Sequence, residues 1–381
     1  RRMNWRIPLA DLDLGAEEMA AVQEVLQSRW LTMGEKTQIF ERDFAQFSGA
    51  KHAIAVSNCT VGLHMACAAA GLGPGDEVIV PSLSFVATSN AVRYTGATPV
   101  FADVTSLDEL TLSPQAAAAC ITPRTRAIII MHYGGYACRM EEFFRLAEEH
   151  HLTLIEDAAH AVGADWQGRA LGTLGHIGCY SFFSNKNMTT GEGGMVVTQD
   201  DALAERLRLL RSHGMTSLTW DRHRGHAWSY DVVELGFNYR IDELRAAIGV
   251  VQLGKLPGNN RKRRERVREY HQRLQQSLPQ VGLPFLGREE HSSCHLLPVI
   301  LPEGTPRVRV MEAMKAAGIQ TSIHYPPSHL FTYYRRIHPE PVLLPVTEAA
   351  AERELTLPLY PGMSTEDVSL VVDMLAEALR A

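Results

Sequence analysis

The chain alternates between two patterns of hydrophobic and polar residues. In one pattern, apolar residues recur every three or four positions, which is the spacing of a helix with one buried face. In the other, apolar residues follow each other in a short run, which is typical of a strand buried on both faces. Helices are predicted for residues 14–28, 37–47, 63–70, 84–94, 140–150 and 202–213. Strands are predicted for residues 52–56, 77–80, 99–103, 127–131, 152–155, 175–183 and 195–198.

Buried strands that alternate with helices predict βαβ units, and therefore an α/β fold with a mainly parallel sheet and helices on both faces. The large domain is predicted to cover residues 1–255. Ligands of such sheets bind beyond the carboxyl ends of the strands. Ser57 to Thr60, His132, Asp157 and the loop after Ser181 all lie at or near such ends. We therefore expect these residues to converge on one crevice.

The last third of the chain has a different pattern. Residues 216–230 are predicted to form an irregular loop, and Pro257-Gly258 predicts a break between two helices. A smaller α+β domain is predicted for residues 256–381. Its helices and apolar segments are predicted at residues 261–278, 295–301, 307–317, 321–325 and 365–380.

Composition and charge narrow the class of protein. The chain has 381 residues, of which 45% are hydrophobic and 21% charged, as in ordinary globular domains. A formal charge of −6 provides no polybasic field, so nucleic acid is not an expected partner. The basic run that begins at Arg261 alternates with Glu265 and Glu269 at helical spacing, which indicates a solvated helix face.

Cysteines and apolar runs bear on the compartment. The six cysteines form no Cys-x-x-Cys pair, so neither a zinc site nor a disulfide framework is expected, and a reducing cytoplasm is the predicted location. The first eight residues carry charge without a following apolar core, and no apolar run reaches membrane-spanning length. We expect neither a signal peptide nor a membrane partner.

One lysine differs from the others in its neighbours. Lys186 follows the apolar run 175–183, and it precedes Gly193-Gly194 and the apolar run 195–198. An amine between two buried strands is partly removed from water, and desolvation favours its neutral form, which can attack a carbonyl group. A solvated loop lysine is the alternative for this stretch taken alone.

A lysine that binds a carbonyl cofactor needs a phosphate anchor, a carboxylate for a pyridinium nitrogen and a flat group over the ring. The polar stretch 57–62 before a helix is a candidate anion site, with an ordinary helix N-cap as the alternative. Asp157 offers the carboxylate, although it could instead cap the helix at Ala158-Ala159. Phe85 could cover the ring, or it could be plain core.

Several motifs, taken in order, resemble those of the pyridoxal-phosphate-dependent sugar aminotransferases. These are the nucleotide-sugar enzymes of the perosamine-synthetase type, in the aspartate-aminotransferase class called fold type I. The resemblance runs from about Leu9 to the C-terminus without a large gap. The motifs are Trp30–Gly34, Gly73–Ser82, Glu156–Ala161, Ser181–Asn187 with Gly191–Gly194, Gly236–Arg240 and His324–Pro326.

The resemblance implies that pyridoxal 5′-phosphate is the cofactor and assigns residues to it. Lys186 would hold the cofactor as a Schiff base and then act as general base and acid. Asp157 would pair with the pyridine nitrogen, and Phe85 would stack on the ring. The implied cofactor-binding set is Cys59, Thr60, Phe85, Asp157, His160, Ser181, Lys186 and Asn238.

Within this set, the resemblance places Cys59, Thr60 and Ser181 at the phosphate. In the family, the asparagine of the Gly-Phe-Asn-Tyr-Arg motif reaches the phosphate from the neighbouring subunit. Asn238 would do so here, which implies a homodimer with shared active sites.

Other residues are candidates for the substrates. Arg240 is a candidate for binding an anionic part of the amino donor or of the nucleotide-sugar, and His324 and Tyr325 for lining the sugar pocket. His160 stands where many members have Gln, beside the phenolic oxygen of the cofactor. A histidine can still donate a hydrogen bond there, but its charge state becomes a variable.

The implied reaction is a ping-pong transfer of an amino group from an amino acid, expected to be L-glutamate, to a nucleotide-linked keto-sugar. The expected acceptor is C4 of a dTDP-linked 4-keto-6-deoxyhexose in deoxyamino-sugar biosynthesis, and a 3-keto-sugar is the alternative. A deoxysugar dehydratase of the same fold would have histidine in place of Lys186. A cofactor-binding protein without turnover is disfavoured by the intact set of Lys186, Asp157 and Asn238.

Overall fold

The computed structural model describes residues 5–217, 229–338 and 340–380. The strands in these ranges are β1 (His52–Val56), β2 (Glu77–Pro81), β3 (Thr98–Ala102), β4 (Val104–Ser106), β5 (Glu109–Leu112), β6 (Thr125–Met131), β7 (Thr153–Asp157), β8 (Asp165–Trp166), β9 (Arg169–Ala170), β10 (Ile177–Ser181), β11 (Gly194–Thr198), β12 (Leu297–Ile300) and β13 (Glu354–Leu357).

The α-helices in the same ranges are α1 (Ala16–Ser28), α2 (Glu35–Ser48), α3 (Cys59–Ala69), α4 (Ala87–Tyr94), α5 (Pro114–Ala119), α6 (Met140–Glu149), α7 (Asp201–Arg211), α8 (Glu243–Ser277), α9 (Arg307–Ala316), α10 (Thr332–Ile337), α11 (Pro345–Arg353) and α12 (Thr365–Ala378). Most of the predicted helices and strands are present, with ends that differ by a few residues.

A sheet of seven strands, in the order β1-β11-β10-β7-β6-β2-β3, lies at the centre of the described chain. Strand β11 is antiparallel to both of its neighbours, and the remaining pairs are parallel. The register places Asp157 opposite Met131 of β6 and Cys179 of β10. The carboxyl ends of these three strands are therefore level, as expected for a ligand site of an α/β fold.

Side-chain alternation along the strands builds two cores, one on each face of the sheet. In β6, Ile128 and Ile130 point into a core shared with α2, α6 and the first half of α8. Their neighbour Ile129 points into the opposite core, which is shared with α3, α4 and α7. The sheet is thus buried on both faces, which explains why its strands are uninterrupted apolar runs.

Helix α8 is 35 residues long, and it corrects the predicted break at Pro257-Gly258. A proline in a helix removes one backbone hydrogen bond and clashes with the preceding turn. Packing offsets this cost here, because α1 and α2 contact α8 at one end and α12 contacts it at the other. The helix crosses residue 255, so the division into domains of residues 1–255 and 256–381 stays a prediction.

The C-terminal part contains the antiparallel pair β12–β13, with α9 and α12 packed around a third core. This core also takes Tyr133 and Tyr136 from the loop after β6. Residues 321–325 form no strand, and Ser322 makes only one bridge, to Thr356. The predicted loop at residues 216–230 lies mostly outside the described residues. None of the described helices is both long and apolar enough to span a membrane.

Candidate active site

Lys186 lies in the loop that joins β10 to β11, next to the level ends of β6, β7 and β10. Its backbone N–H donates to the Phe183 carbonyl oxygen at 2.9 Å. Desolvation lowers the pKa of the Lys186 amine to about 8, although the negative charge of Asp157 opposes this shift. The amine is therefore neutral far more often near neutral pH than that of a solvated lysine.

Asp157 ends β7 and is buried. One of its carboxylate oxygens accepts a hydrogen bond from Thr88 Oγ1 at 2.7 Å, and the other accepts one from the Ala159 backbone N–H at 3.1 Å. Burial raises the pKa of Asp157, and the two donors counteract this effect because they stabilise the charged form. The charge of Lys186 acts in the same direction as the donors.

The N-terminus of α3 is suited to an anion, because its first N–H groups lack partners within the helix. Asn58 caps the helix, because its side chain accepts from the Val61 backbone N–H at 3.0 Å. The preceding N–H groups, of Cys59 and Thr60, have no acceptor one turn earlier in the helix. A Cβ placed on Gly194 would lie 2.8 Å from the Cys59 nitrogen, so only glycine lets β11 come this close.

The surroundings of His160 fix its tautomer. The Gly134 backbone N–H can only donate, and it lies 3.2 Å from His160 Nδ1. Nδ1 therefore bears the lone pair, and the proton is on Nε2, which lies 2.9 Å from the Tyr325 hydroxyl. Burial lowers the pKa of His160 well below its usual value, so the ring is neutral and offers one N–H donor.

His295 has the opposite tautomer. Asn187 donates from Nδ2 to the Asn260 side-chain oxygen and to the Ser293 carbonyl oxygen, both at 2.7 Å. A carbonyl oxygen accepts only, so the amide nitrogen faces Ser293 and the amide oxygen faces His295 Nδ1, at 2.9 Å. Nδ1 of His295 must therefore carry the proton, and Nε2 is an acceptor.

The two histidine rings lie side by side, with centroids 4.4 Å apart. Burial lowers the pKa of His295 as well, and the positive charge of Lys186 lowers it further. His324 belongs to the same group: desolvation lowers its pKa to about 4, again with a contribution from Lys186. All three imidazoles are therefore neutral near neutral pH, and the charge of Lys186 contributes to lowering the pKa of each.

The other predicted site residues lie in different surroundings. Ser181 ends β10 and is buried, and its Oγ accepts from the Phe183 backbone N–H at 3.3 Å. Phe85 is 57% exposed, and its ring centroid is 6.1 Å from that of Tyr325. Asn238 is exposed, with its backbone bridged to Ser212.

Arg240 is half-buried and its backbone bridges to Val56 at the end of β1. Desolvation and the charge of Arg211 lower its pKa. The structure thus brings Lys186, Asp157, His160 and Tyr325 together within one chain. It does not join Asn238 or Arg240 to them by a hydrogen bond between described residues.

Three residues of the site were not predicted from the sequence: Thr88, His295, and Asn187 in its hydrogen-bonding role. Thr88 lies inside a helix, where a hydroxyl has no local sequence signature. Asn187 had the clearest signal, because an amide next to the candidate lysine is too polar for a buried position without partners. His295 lies about a hundred residues further along the chain, and only the tertiary fold brings it to Lys186.

Comparison with known proteins gives consistent results. Residues 12–376 match the DegT/DnrJ/EryC1/StrS aminotransferase family. Over 386 residues the chain is 38% identical to the spore coat polysaccharide biosynthesis protein SpsC of Bacillus subtilis (strain 168), with 100% of this chain and 99% of SpsC covered.

Solved structures show the same fold. The structure of DesI in the presence of its TDP-sugar product is 34% identical, with a TM-score of 0.88 and coverage of 100% of this chain and 94% of that one. The PLP-form of Spr1654 from Streptococcus pneumoniae, described as a sugar aminotransferase, is 26% identical, with a TM-score of 0.90 and coverage of 98% of each chain.

Proposed function

Because the chain belongs to the DegT/DnrJ/EryC1/StrS aminotransferase family, we propose that it is a pyridoxal-phosphate-dependent sugar aminotransferase. It moves an amino group from an amino acid, L-glutamate, to the keto group of a nucleotide-linked sugar. One observation carries this proposal: a lysine amine with a pKa lowered to about 8 lies next to the buried carboxylate of Asp157.

The residues at the carboxyl ends of the strands fit the cofactor. When bound, pyridoxal phosphate supplies an aldehyde that joins to amines and a ring that takes up an electron pair. The free N–H groups at the start of α3 and the hydroxyls of Thr60 and Ser181 would hold its phosphate. Gly194 allows β11 to pass close to these N–H groups, because a Cβ there would collide with the backbone of Asn58 and Cys59. Phe85 would cover one face of the ring.

Two further residues tune the ring. Asp157 would accept a hydrogen bond from the protonated pyridine nitrogen, and its negative charge keeps that nitrogen protonated. Thr88 and the Ala159 N–H hold the carboxylate in its charged form and in one orientation. His160 has its only N–H at Nε2, because Gly134 donates to its Nδ1, and that hydrogen faces the Tyr325 hydroxyl. The phenolic oxygen of the cofactor would take the place of Tyr325 as its acceptor.

Lys186 would perform the proton transfers. Its Nζ would take the proton from the α-carbon of the amino donor and would hold that proton until it is returned. The second half-reaction uses the same amine in the reverse order. One group serves as base and as acid, and a pKa of about 8 places the amine close to working pH in both roles.

For the acceptor, we propose C4 of a 4-keto-6-deoxyhexose linked to dTDP. The dTDP link is supported by the similarity to DesI, whose structure was determined in the presence of its TDP-sugar product. The choice of C4 follows from the family resemblance of the sequence. The charge of Lys186 acts on His324, and Tyr325 contacts His160. His324 and Tyr325 would contact the sugar, and Arg240 would bind an anionic group of the donor or of the nucleotide. All six cysteines are free thiols, which favours a reducing cytoplasm as the place of the reaction.

The active unit is proposed to be a homodimer with shared sites. Asn238 is exposed, and the described residues of its own chain leave its side chain available to a neighbour. Across a two-fold axis it would bind the phosphate held by the partner's α3.

The test is direct. The purified protein is incubated with pyridoxal phosphate, L-glutamate and a panel of dTDP-linked 3-keto and 4-keto sugars, and the new C–N bond is located by NMR. We expect amination at C4, together with 2-oxoglutarate. Amination at C3 alone would show that the enzyme acts on a 3-keto-sugar instead of a 4-keto-sugar. Loss of a hydroxyl group without glutamate consumption would indicate a dehydratase. No reaction with any sugar would contradict the proposed function. The Lys186→Ala variant is the control for non-enzymatic transfer.

A further inference from the structure

Glu354 is a buried carboxyl group to which the mechanism above gives no role. It begins β13, and its side chain lies against Thr356 on the same strand and against His324 on the neighbouring loop. Glu354 Oε1 is 2.5 Å from Thr356 Oγ1, and Thr356 Oγ1 is 2.7 Å from His324 Nδ1. The three side chains therefore form one continuous chain of hydrogen bonds that ends at an imidazole of the active site.

Backbone hydrogen bonds determine which oxygen of Glu354 can carry a proton. The His324 N–H donates to Glu354 Oε2 at 2.8 Å, so this oxygen must accept, and any carboxyl proton resides on Oε1. Ser322 pairs with Thr356 through backbone hydrogen bonds, which hold His324 in register with β13. Tyr133 adds a further restraint because its hydroxyl donates to the His324 carbonyl oxygen.

Thr356 has a single hydroxyl proton, so the hydrogen bonds between Glu354, Thr356 and His324 have two possible arrangements of their protons. When Glu354 is a carboxylate, Thr356 donates to it and must accept from His324 Nδ1–H, so Nε2 of His324 is an acceptor. When Glu354 is protonated, it donates to Thr356, which then donates to Nδ1, so Nε2 carries the hydrogen. The two arrangements differ by one proton, which enters at Nε2 while two others shift along the chain.

Nε2 is the ring nitrogen of His324 that this chain of hydrogen bonds leaves without a partner. Among the described residues it has no hydrogen-bond partner, and it is not one of the fully buried side-chain atoms that lack one. The imidazole itself is held neutral, because desolvation and the charge of Lys186 lower its pKa to about 4. The tautomer of His324 can therefore change without a change in its charge.

Several charged or titratable groups face Glu354. Burial raises the pKa of Glu354 to about 8, and the hydrogen bonds from Thr356 and His324 and the positive charge of Arg307 at the start of α9 oppose this shift. Tyr133 and Tyr325 lie close enough for the carboxylate to raise their pKa values, and both phenols stay neutral over the working range. Glu354 is thus the group of this cluster that titrates between pH 7 and 9.

We propose that Glu354 is a positioning residue which, through Thr356, sets the ring nitrogen of His324 that carries the proton. Glu354 thereby decides whether His324 presents a donor or an acceptor to the bound sugar. The identity of that substrate rests on the proposed function. The hydrogen bonds from Glu354 to His324 do not, because they form without any ligand. Near pH 7 His324 offers Nε2–H to an oxygen of the keto-sugar, and above pH 8 it loses that donor.

The Glu354→Gln variant is nearly isosteric and locks one arrangement. Its amide oxygen still accepts from the His324 N–H, and its amide nitrogen donates to Thr356 as the protonated acid does. The Thr356→Val variant keeps the shape and removes the only link between Glu354 and the ring. Thermal unfolding of both variants shows whether they fold like the wild type.

The readout is the nitrogen-15 NMR spectrum of histidine-labelled full-length protein loaded with pyridoxal phosphate, recorded from pH 6.5 to 9.5. Loss of one signal in the His324→Asn variant identifies His324. In the wild type we expect the two ring nitrogens to exchange protonated and unprotonated shifts around pH 8. In Glu354→Gln the Nε2–H form should persist at every pH, and in Thr356→Val the exchange should be absent.

Kinetics provide the second readout. The KM for the keto-sugar should rise about fivefold between pH 7 and 9.5 in the wild type but stay at its pH 7 value in Glu354→Gln, because about 1 kcal/mol of hydrogen bonding is lost. A single His324 tautomer over the whole pH range in the wild type, or an exchange that persists in Glu354→Gln, would overturn the proposal. Since the NMR experiment needs no turnover, it stands or fails separately from the assigned reaction.

Discussion

Lys186 is subject to two opposing influences. Desolvation favours its neutral amine, and the negative charge of Asp157 favours its ammonium form. With a pKa of about 8, about one amine in ten is neutral at pH 7, compared with roughly one in three thousand for a lysine at the ordinary value of 10.5. This difference explains why one lysine among many would react with an aldehyde cofactor.

A first prediction concerns the pH dependence of cofactor capture. The protonated amine cannot attack the aldehyde, so the rate of pyridoxal-phosphate uptake by the apoprotein should rise about tenfold per pH unit below pH 8 and level off above it. Stopped-flow absorbance measures this rate, with Nα-acetyl-lysine as the control that keeps rising towards pH 10.5. A protein curve that rises through pH 10 like the control would show that Lys186 is solvated.

A second prediction concerns Thr88, which sequence reasoning did not select. Thr88→Val removes one donor from the Asp157 carboxylate without changing the shape of the side chain, so the charged form of Asp157 is less stable. We expect kcat/KM to fall roughly ten- to hundredfold, in line with the roughly 1.5–3 kcal/mol of a hydrogen bond to a charged group. Thr95→Val, at the C-terminal end of the same helix, should retain full activity. Equal activity of the two variants would remove Thr88 from the site.

Among the secondary-structure elements, the strands of the sheet were predicted more accurately than the ends of the helices. The apolar runs of β1, β2 and β3 were located within one or two residues because burial on both faces demands them. The break predicted at Pro257 is wrong, because the local cost of proline is offset by the helices that pack against α8 at both ends. The short elements β4, β5, α10 and α11 were missed, because too few residues carry a periodic pattern.

Helix α8 supports a prediction about stability. Pro257 is exposed within the helix, and alanine would restore the missing N–H and relieve the clash with the preceding turn. We expect Pro257→Ala to raise the free energy of unfolding by about 1–3 kcal/mol in urea titrations. Gly254→Ala on the same helix has open space around it and should add about 1 kcal/mol. A Pro257→Ala protein no more stable than the wild type would show that the helix needs its proline.

At the scale of the whole molecule, the site exists because the sheet brings distant segments to one edge. Asp157 and the Lys186 loop follow adjacent strands, which the α/β pattern made predictable. The contributions of His295, Glu354 and Thr356 were not predictable, because they come from the C-terminal segment. Its placement depends on tertiary packing around α8, and this packing leaves no local pattern in the sequence.

The shared site of the proposed dimer leads to a prediction about mixed subunits. Lys186→Ala and Asn238→Ala proteins should each be nearly inactive as homodimers. Unfolded together and refolded in equal amounts, they should recover about a quarter of the wild-type activity, because half of the dimers are mixed and each has one intact site. If Asn238 acts within its own subunit, no mixture of the two variants can recover activity.

The proposed function requires that the amine of Lys186 joins the cofactor covalently. The most direct measurement is borohydride reduction of the pyridoxal-phosphate-loaded protein, followed by digestion and mass spectrometry of the peptides. We expect a phosphopyridoxyl group on Lys186 in nearly every molecule, with none on the other lysines and none when Lys186 is replaced by arginine. An unmodified Lys186, or a modified lysine elsewhere in a fully active protein, would contradict it.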